Sequence, residues 1–331
     1  MSRENIGLST ELADESVCPT VKPDGLRLVG AGAFACRQIF SRLLNLSVAL
    51  LFSSLLIQAE DKAPKLIDCH VHHNGQKAFL DQLTAKMATA DGMAMLITAP
   101  ADIKGVTTAM AAHPGRLIGV GELRLDDPEV LALVDRFHAA GFRGLGEITQ
   151  PQYPYDDRRY WPIYERAEQY GMIMLFHTGI VNRTDPNTAS DVSSDRMRAG
   201  TIDLIARRFP KLKIIGAHLG NPDYAWAAEI ARWNPNVWWD LSGSTLIKKQ
   251  HSYGSFSDMF WWSSAATLHS PKSAANAFEK IVFGSDVFDG DLAEFDRALE
   301  RYHRMLDDCA VPAEAQRNIF AGTLWKILNS Q

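Results

Sequence analysis

From about residue 65 onward, short apolar runs alternate with amphipathic stretches of about a dozen residues. Met172–Phe176 is continuously apolar, Leu212–Ala217 is mostly so, and Ile281–Ser285 follows the same habit. Unbroken runs of this length mark strands buried on both faces of a parallel sheet, whereas a half-exposed strand would alternate. Strands are expected at 65–73, 93–99, 117–125, 142–148, 172–177, 212–218, 237–241 and 281–286. Helical patterns fill the intervals at 76–90, 102–112, 127–140, 157–170, 196–209, 223–233 and 271–280, with an eighth near 291–307. A strand–helix unit repeated eight times predicts an α/β fold, a single (β/α)8 TIM barrel with its chemistry at the carboxyl ends of the strands.

Those ends carry metal-ligand side chains. The first run closes on Asp68-Cys69-His70-Val71-His72, the fifth on His177, the sixth on His218 and the eighth on Asp286. Alternation along a strand puts Asp68, His70 and His72 on one face and Ile67, Cys69 and Val71 on the other, so both imidazoles can reach one ion. Imidazole nitrogens and carboxylate oxygens suit zinc and its first-row neighbours. Asp68, deeper in the strand, reads as a hydrogen-bonding partner rather than a ligand, and Asp240 at strand seven reads the same way. Cys69 is assigned to packing on the outward face. His113, His138, His251, His269 and His303 fall in helices or loops and read as packing or surface residues, while His73 faces away from the pair.

Charge narrows the possible partners. The net charge is −5, and the first 59 residues contribute equally to both signs. A mildly acidic chain without a basic tract is no obvious binder of nucleic acid or anionic membrane, which leaves a small-molecule substrate and a possible homo-oligomer. The 272 residues from 60 to 331 are close to the ~250 typical of one such barrel and leave no room for a second large domain.

The amino-terminal segment reads separately. Arg37 and Arg42 precede the apolar stretch Leu43–Ile57, which ends at Gln58-Ala59 before charged Glu60-Asp61-Lys62. This pattern over 37–59 is that of a signal peptide, with cleavage after Ala59 and a periplasmic or secreted product. The run is too short for an ordinary membrane span, so no stable span is expected after processing. Residues 1–36 are polar and read either as the product of a misplaced start codon or as a disordered extension. Cleavage would leave only Cys69 and Cys309, too few for a disulfide framework.

Taken together, Asp68-Cys69-His70-Val71-His72, His177, Ala217-His218-Leu219-Gly220 and Gly284-Ser285-Asp286 resemble the motifs of the amidohydrolase superfamily. Arg208-Phe209-Pro210-Lys211-Leu212 and Asn236-Val237-Trp238-Trp239-Asp240-Leu241-Ser242 are similar to the amidohydrolase-related branch that includes aminocarboxymuconate-semialdehyde decarboxylase. The resemblance spans about 65–328. It implies that His70, His72 and His177 bind a divalent metal, zinc being the expectation. Asp286 is then a further ligand that also takes a proton from the attacking water, and His218 stands beside that water. An ion in such a site lowers the pKa of a coordinated water to about 7.

Glu147 departs from this branch. It ends strand four in Leu145-Gly146-Glu147-Ile148, where many relatives have no metal-binding side chain and two-metal amidohydrolases place a bridging group. Either Glu147 bridges two ions, or it is a buried glutamate paired with Arg124 or Arg143. Glu122, ending strand three, is a lesser candidate of the same kind. Substrate contacts are expected from the loops after the strands: the aromatic-rich 243–270, Arg183, Tyr153 and Tyr155. The reading is a metal-dependent hydrolase acting on an ester, lactone, amide or similar bond of a small molecule. The alternative is a metal-dependent non-oxidative decarboxylase of a small unsaturated or aromatic acid. A non-catalytic ligand-binding barrel is a third reading, against which stands a complete set of ligand-type residues.

Overall fold

The structure is a computed structural model that describes residues 63–181, 187, 191–243, 247–248 and 277–330. The segment proposed as a signal peptide, residues 1–36, Arg183 and nearly all of 243–276 lie outside the described residues. The strands are β1 Leu66–His72, β2 Gly92–Thr98, β3 Leu117–Gly121, β4 Gly144–Ile148, β5 Ile173–Phe176, β6 Lys213–Gly216 and β7 Val237–Trp239. They form one parallel sheet in the order β1 to β7. The connecting helices are α1 Lys77–Thr89, α2 Ile103–Ala112, α3 Val130–Ala139, α4 Trp161–Gln169, α5 Ala199–Arg208 and α6 Tyr224–Trp233. The chain ends in α7 Ala293–Asp308, α8 Ala313–Arg317 and α9 Thr323–Asn329. This is a TIM-barrel-like α/β fold. Among the described residues no helix is long and apolar enough to cross a membrane.

The expected eighth strand is not a regular one. Residues 281–287 still lie between β7 and β1: Val282 N donates to Trp239 O, Cys69 N to Phe283 O, Asp286 N to His70 O and His72 N to Val287 O, each at 2.9 Å. Several donors of the segment, however, go elsewhere. Phe283 N donates to Ile319 O at 3.0 Å, and Ser285 N to the Asp68 carboxylate at 2.9 Å. A ladder whose donors are diverted to side chains and to another segment cannot continue as a strand.

Two apolar layers follow from the sheet's two faces. Ile67, Met95, Ile118, Val120, Ile173, Leu175, Ile215 and Val282 form one buried cluster with Ala321, Leu324, Ile327 and Leu328. This cluster is the barrel interior, closed at the amino ends of the strands by α9. The larger cluster, including Val71, Leu96, Phe137, Leu145, Phe176 and Ile214, packs the outer face against α1 to α7. Cys69 belongs to the inner cluster, which corrects the outward placement expected from alternation. The cause is a register shift in β1: Asp68 pairs with Ala94 but Val71 pairs with Leu96, so three residues of β1 advance against two of β2. The extra residue lets Ile67 and Cys69 face inward below it and turns Val71 outward above it.

Candidate metal centre

A second shift of the same kind sits in β4, where Leu145 pairs with Met174 and Ile148 with Phe176. Leu145 and Ile148 both pack outward, and the extra residue between them aims Glu147 at the mouth of the barrel. Gly146 permits this, because at its φ of 133° a Cβ would come within 2.2 Å of Leu175 O. Two other ligand-type residues leave the ends of their strands on unusual backbone. His218 and Asp286 adopt left-handed φ of 64° and 58°. Such conformations cost on the order of 1–3 kcal/mol each and cluster at functional sites. Here each is secured by its own amide, His218 N donating to Asp240 Oδ1 at 3.0 Å and Asp286 N to His70 O at 2.9 Å.

The six side chains fall into two groups, His70 with His72 and Asp286, and Glu147 with His177 and His218. In the first, His70 Nε2 lies 3.1 Å from His72 Nε2, and Asp286 Oδ1 is 3.6 Å from each. In the second, Glu147 Oε1 lies 2.9 Å from His177 Nδ1 and 3.2 Å from His218 Nε2, and those two nitrogens are 3.2 Å apart. Glu147 also joins the groups, since its Oε2 is 3.6 Å from His70 Nε2 and 3.7 Å from His72 Nε2. His177, expected beside the histidine pair, is thus placed with Glu147 and His218.

Acceptor-only partners assign the protons. His70 Nδ1 donates to Asp240 Oδ2 at 3.0 Å, and His218 Nδ1 donates to Ser242 O at 2.6 Å. Each ring therefore presents an Nε2 lone pair to the centre when neutral. That of His218 points at a carboxylate oxygen 3.2 Å away, an arrangement repulsive unless a proton or a cation lies between. Burial drives His70 towards its neutral form, yet Glu147, Asp240 and Asp286 together raise its pKa well above the ordinary histidine range. His218 is raised too, against the pull of burial, chiefly by Glu147. Burial would push Glu147 up, but His70 and His177 hold it well below the ordinary carboxylate range. Asp240 and Asp286 are lowered against burial chiefly by His70. A centre of three ionised carboxylates and inward lone pairs is a cation site in its donor chemistry, and the residues present fit divalent metal.

A sequence model of the amidohydrolase family matches residues 67–323, more than half of the 331-residue chain. The chain belongs to the amidohydrolase family. No curated protein matches it. Among solved structures, this amidohydrolase is similar to an uncharacterised TIM-barrel protein of Bordetella bronchiseptica, with 17% identity, TM-score 0.56 and coverage of 80% of this chain and 98% of that one. It is also similar to a probable 2-pyrone-4,6-dicarboxylic acid hydrolase of Acinetobacter baumannii, at 11% identity and TM-score 0.51, covering 80% and 100%. A 5-carboxyvanillate decarboxylase of Novosphingobium aromaticivorans, with bound manganese, matches at 12% identity and TM-score 0.51, covering 80% and 97%. At these identities the likeness is one of fold.

In this amidohydrolase the two groups open onto a cavity of about 830 Å³ at the carboxyl end of the barrel. Phe288 and Ile180, each 60% exposed, stand on its rim with Asn74, Gln150, Asn221 and Lys248. Phe288 meets the His72 ring edge-on at 5.2 Å. Gly243 forms part of the wall, where a Cβ would come within 2.6 Å of Asp286 Oδ2. Glu122 is exposed and lines the cavity but joins neither group. Glu147 has imidazole neighbours and no arginine partner among the described residues, since Arg143 donates to Leu328 O instead.

The substrate-contact candidates fare differently. Tyr155 is fully buried, its hydroxyl donating to Ile148 O at 2.7 Å and 3.0 Å from His177 O, so it ties the ends of β4 and β5 and cannot touch substrate. Tyr153 lies outside the cavity, under the Arg159 guanidinium. Asp68 accepts from His70 N at 3.0 Å and Ser285 N at 2.9 Å, pinning the shifted part of β1 to the eighth segment. The residue that sequence reading missed is Ser242. In the sequence it stands only as the last residue of the strand-seven motif, two residues after Asp240, with no role given to it.

Proposed function

We propose that this amidohydrolase is a metal-dependent hydrolase acting on an ester, lactone, amide or similar bond of a small molecule. The observation that supports it most is Glu147, whose two oxygens reach both donor groups. His70, His72 and Asp286 would hold one divalent ion, His177 and His218 a second, with Glu147 shared. Zinc suits these donors. Ions held there supply Lewis acidity and acidify the attacking water.

The chain's own groups divide the remaining work. Asp286 faces the cavity, has its acid form disfavoured, and accepts the proton of the attacking water before passing it to the leaving group. His218 would serve as a ligand through Nε2 if two ions are held, and would stand beside the water if one is. The rim residues Asn74, Gln150 and Asn221 offer hydrogen bonds to the substrate's polar atoms.

A decarboxylase of a small unsaturated or aromatic acid fits the same fold, which carries both a hydrolase and a decarboxylase among its structural neighbours. The test is metal stoichiometry together with turnover on two panels: lactones and esters followed by acid release, and aromatic acids followed by carbon dioxide release. Two metal equivalents and hydrolysis are expected. Carbon dioxide release without hydrolysis would transfer the assignment to the decarboxylase, and a single equivalent would remove the shared role of Glu147. We also infer, from residues 37–59 alone, that the chain is exported and begins near Glu60 when mature. Intact mass of the native protein checks this, and a cytoplasmic product retaining residues 1–59 overturns it.

A further inference from the structure

Asp240 and Ser242 touch both donor groups without belonging to either. Asp240 is fully buried. Its Oδ2 accepts from His70 Nδ1, in the first group. Its Oδ1 accepts from His218 N at 3.0 Å, in the second, and from Ser242 N at 2.9 Å and Ser242 Oγ at 2.6 Å. Ser242 O accepts from His218 Nδ1 at 2.6 Å, and Ser242 Oγ lies 3.2 Å from His70 Nδ1 and 3.4 Å from His218 Nδ1. One carboxylate and the turn it folds therefore present an acceptor to the far nitrogen of one imidazole from each group. His177 has no such arrangement, since its Nε2 is buried without a hydrogen-bond partner among the described residues.

We propose that Asp240 and Ser242 form one positioning unit that fixes the tautomers of His70 and His218, so that both donor groups are set by a single buried carboxylate. The inference rests on the metal-site reading above and adds a cause for it. Oδ1 faces three donors and must remain an oxygen, which leaves Oδ2 as the only place for an amide nitrogen in Asp240→Asn. That nitrogen would oppose the His70 Nδ1–H, donor against donor. The relief is for His70 to move its proton to Nε2, the atom that faces the centre, and a protonated Nε2 cannot bind metal. An isosteric change would thus do what a merely structural role would not, namely disable a ligand two bonds removed from it.

The test uses the full chain, with cobalt(II) titrated under visible absorption and histidine ¹⁵N spectra of the zinc-loaded protein. In the wild type, His70 and His218 should each show an Nδ1–H and a metal-bound Nε2; the opposite assignment at either ring overturns the proposal without any variant. Asp240→Asn should weaken cobalt binding about 10–100-fold, the usual cost of losing a ligand's hydrogen-bond partner, and show an Nε2–H at His70. Lys280→Met, which alters a buried polar group at the opposite end of the barrel and outside the unit, should stay within a few-fold of the wild type. Equal losses in the two variants, or normal cobalt affinity in Asp240→Asn, would defeat the positioning role while leaving the metal centre standing. A wild type that binds neither cobalt nor zinc defeats both readings.

Discussion

The two ends of the barrel are built from opposite chemistry. At the carboxyl end, four imidazoles and the carboxylates of Glu147, Asp240 and Asp286 converge within hydrogen-bonding or near-contact distances. At the amino end, Leu324, Ile327 and Leu328 of α9 plug the interior against Ile67, Ile118 and Ile173. Three cations there rest on backbone carbonyls: Arg143 on Leu328 O, Lys213 on Ser330 O at 2.7 Å, and Lys280 on Asn234 O at 3.1 Å and Pro235 O at 2.9 Å. One end collects groups that want a cation, and the other buries apolar surface and binds three of its cations to backbone carbonyls. Changes at the first should cost function far more than folding, and changes at the second the reverse.

The sharpest way to break that contrast is to replace His70 and His72 together by alanine. Turnover should fall to background and the first donor group should lose its metal, measured on the same preparation, while the metal-free protein still unfolds cooperatively. Unchanged metal content would show that the pair does not bind an ion.

Asp286→Asn separates binding from proton transfer at the same end. An amide oxygen can still approach an ion but cannot take a proton near neutral pH. A loss of roughly 10²–10⁴ in kcat with most metal retained is expected, the range of general acid–base contributions. Near-normal turnover in the metal-loaded variant would take Asp286 out of the mechanism.

At the opposite end, Leu324→Ala removes a fully buried side chain from the plug. A stability loss of about 2–5 kcal/mol in urea unfolding is expected, with kcat per folded molecule and metal stoichiometry unchanged. A matching loss of metal would mean that the two ends are not independent.

The smallest effect concerns Lys280, whose burial lowers its pKa from the ordinary 10.5 to about 8. A cation with a depressed folded pKa contributes stability that is fully present above the unfolded value and lost as pH falls through the folded one. Relative to Lys280→Met, the wild type should therefore gain stability between about pH 8 and 10.5, by on the order of 3 kcal/mol at most. Parallel pH profiles for the two proteins would show that the ammonium is better solvated than its burial implies.

The same contrast shows how much could be read in advance. Strands β1 to β7 stood out because buried parallel strands are unbroken apolar runs, and each expected run overlaps an observed strand. The ligand-type residues stood out because they interrupt those runs at their carboxyl ends. Alternation misplaced Cys69, because the shift in β1 depends on how Asp68 pairs with Ser285, 217 residues away. Tyr155 looked like a substrate contact because a loop tyrosine near the mouth is indistinguishable, in sequence, from one whose hydroxyl closes two strand ends. The eighth segment kept a strand's composition and lost its regularity to donors spent on Asp68 and Ile319.

What the sequence determined by itself was therefore local: hydrophobic period, element type, and which side chains able to bind metal sit where strands end. Only the tertiary structure decided which of them meet. The division into two groups, the reach of Glu147 across both, and the hold of Asp240 on His70 and His218 join residues 22 to 170 positions apart. Such contacts are set by sheet register and by two inserted residues in β1 and β4. Register is fixed by pairing between distant strands, and no window of sequence contains both partners.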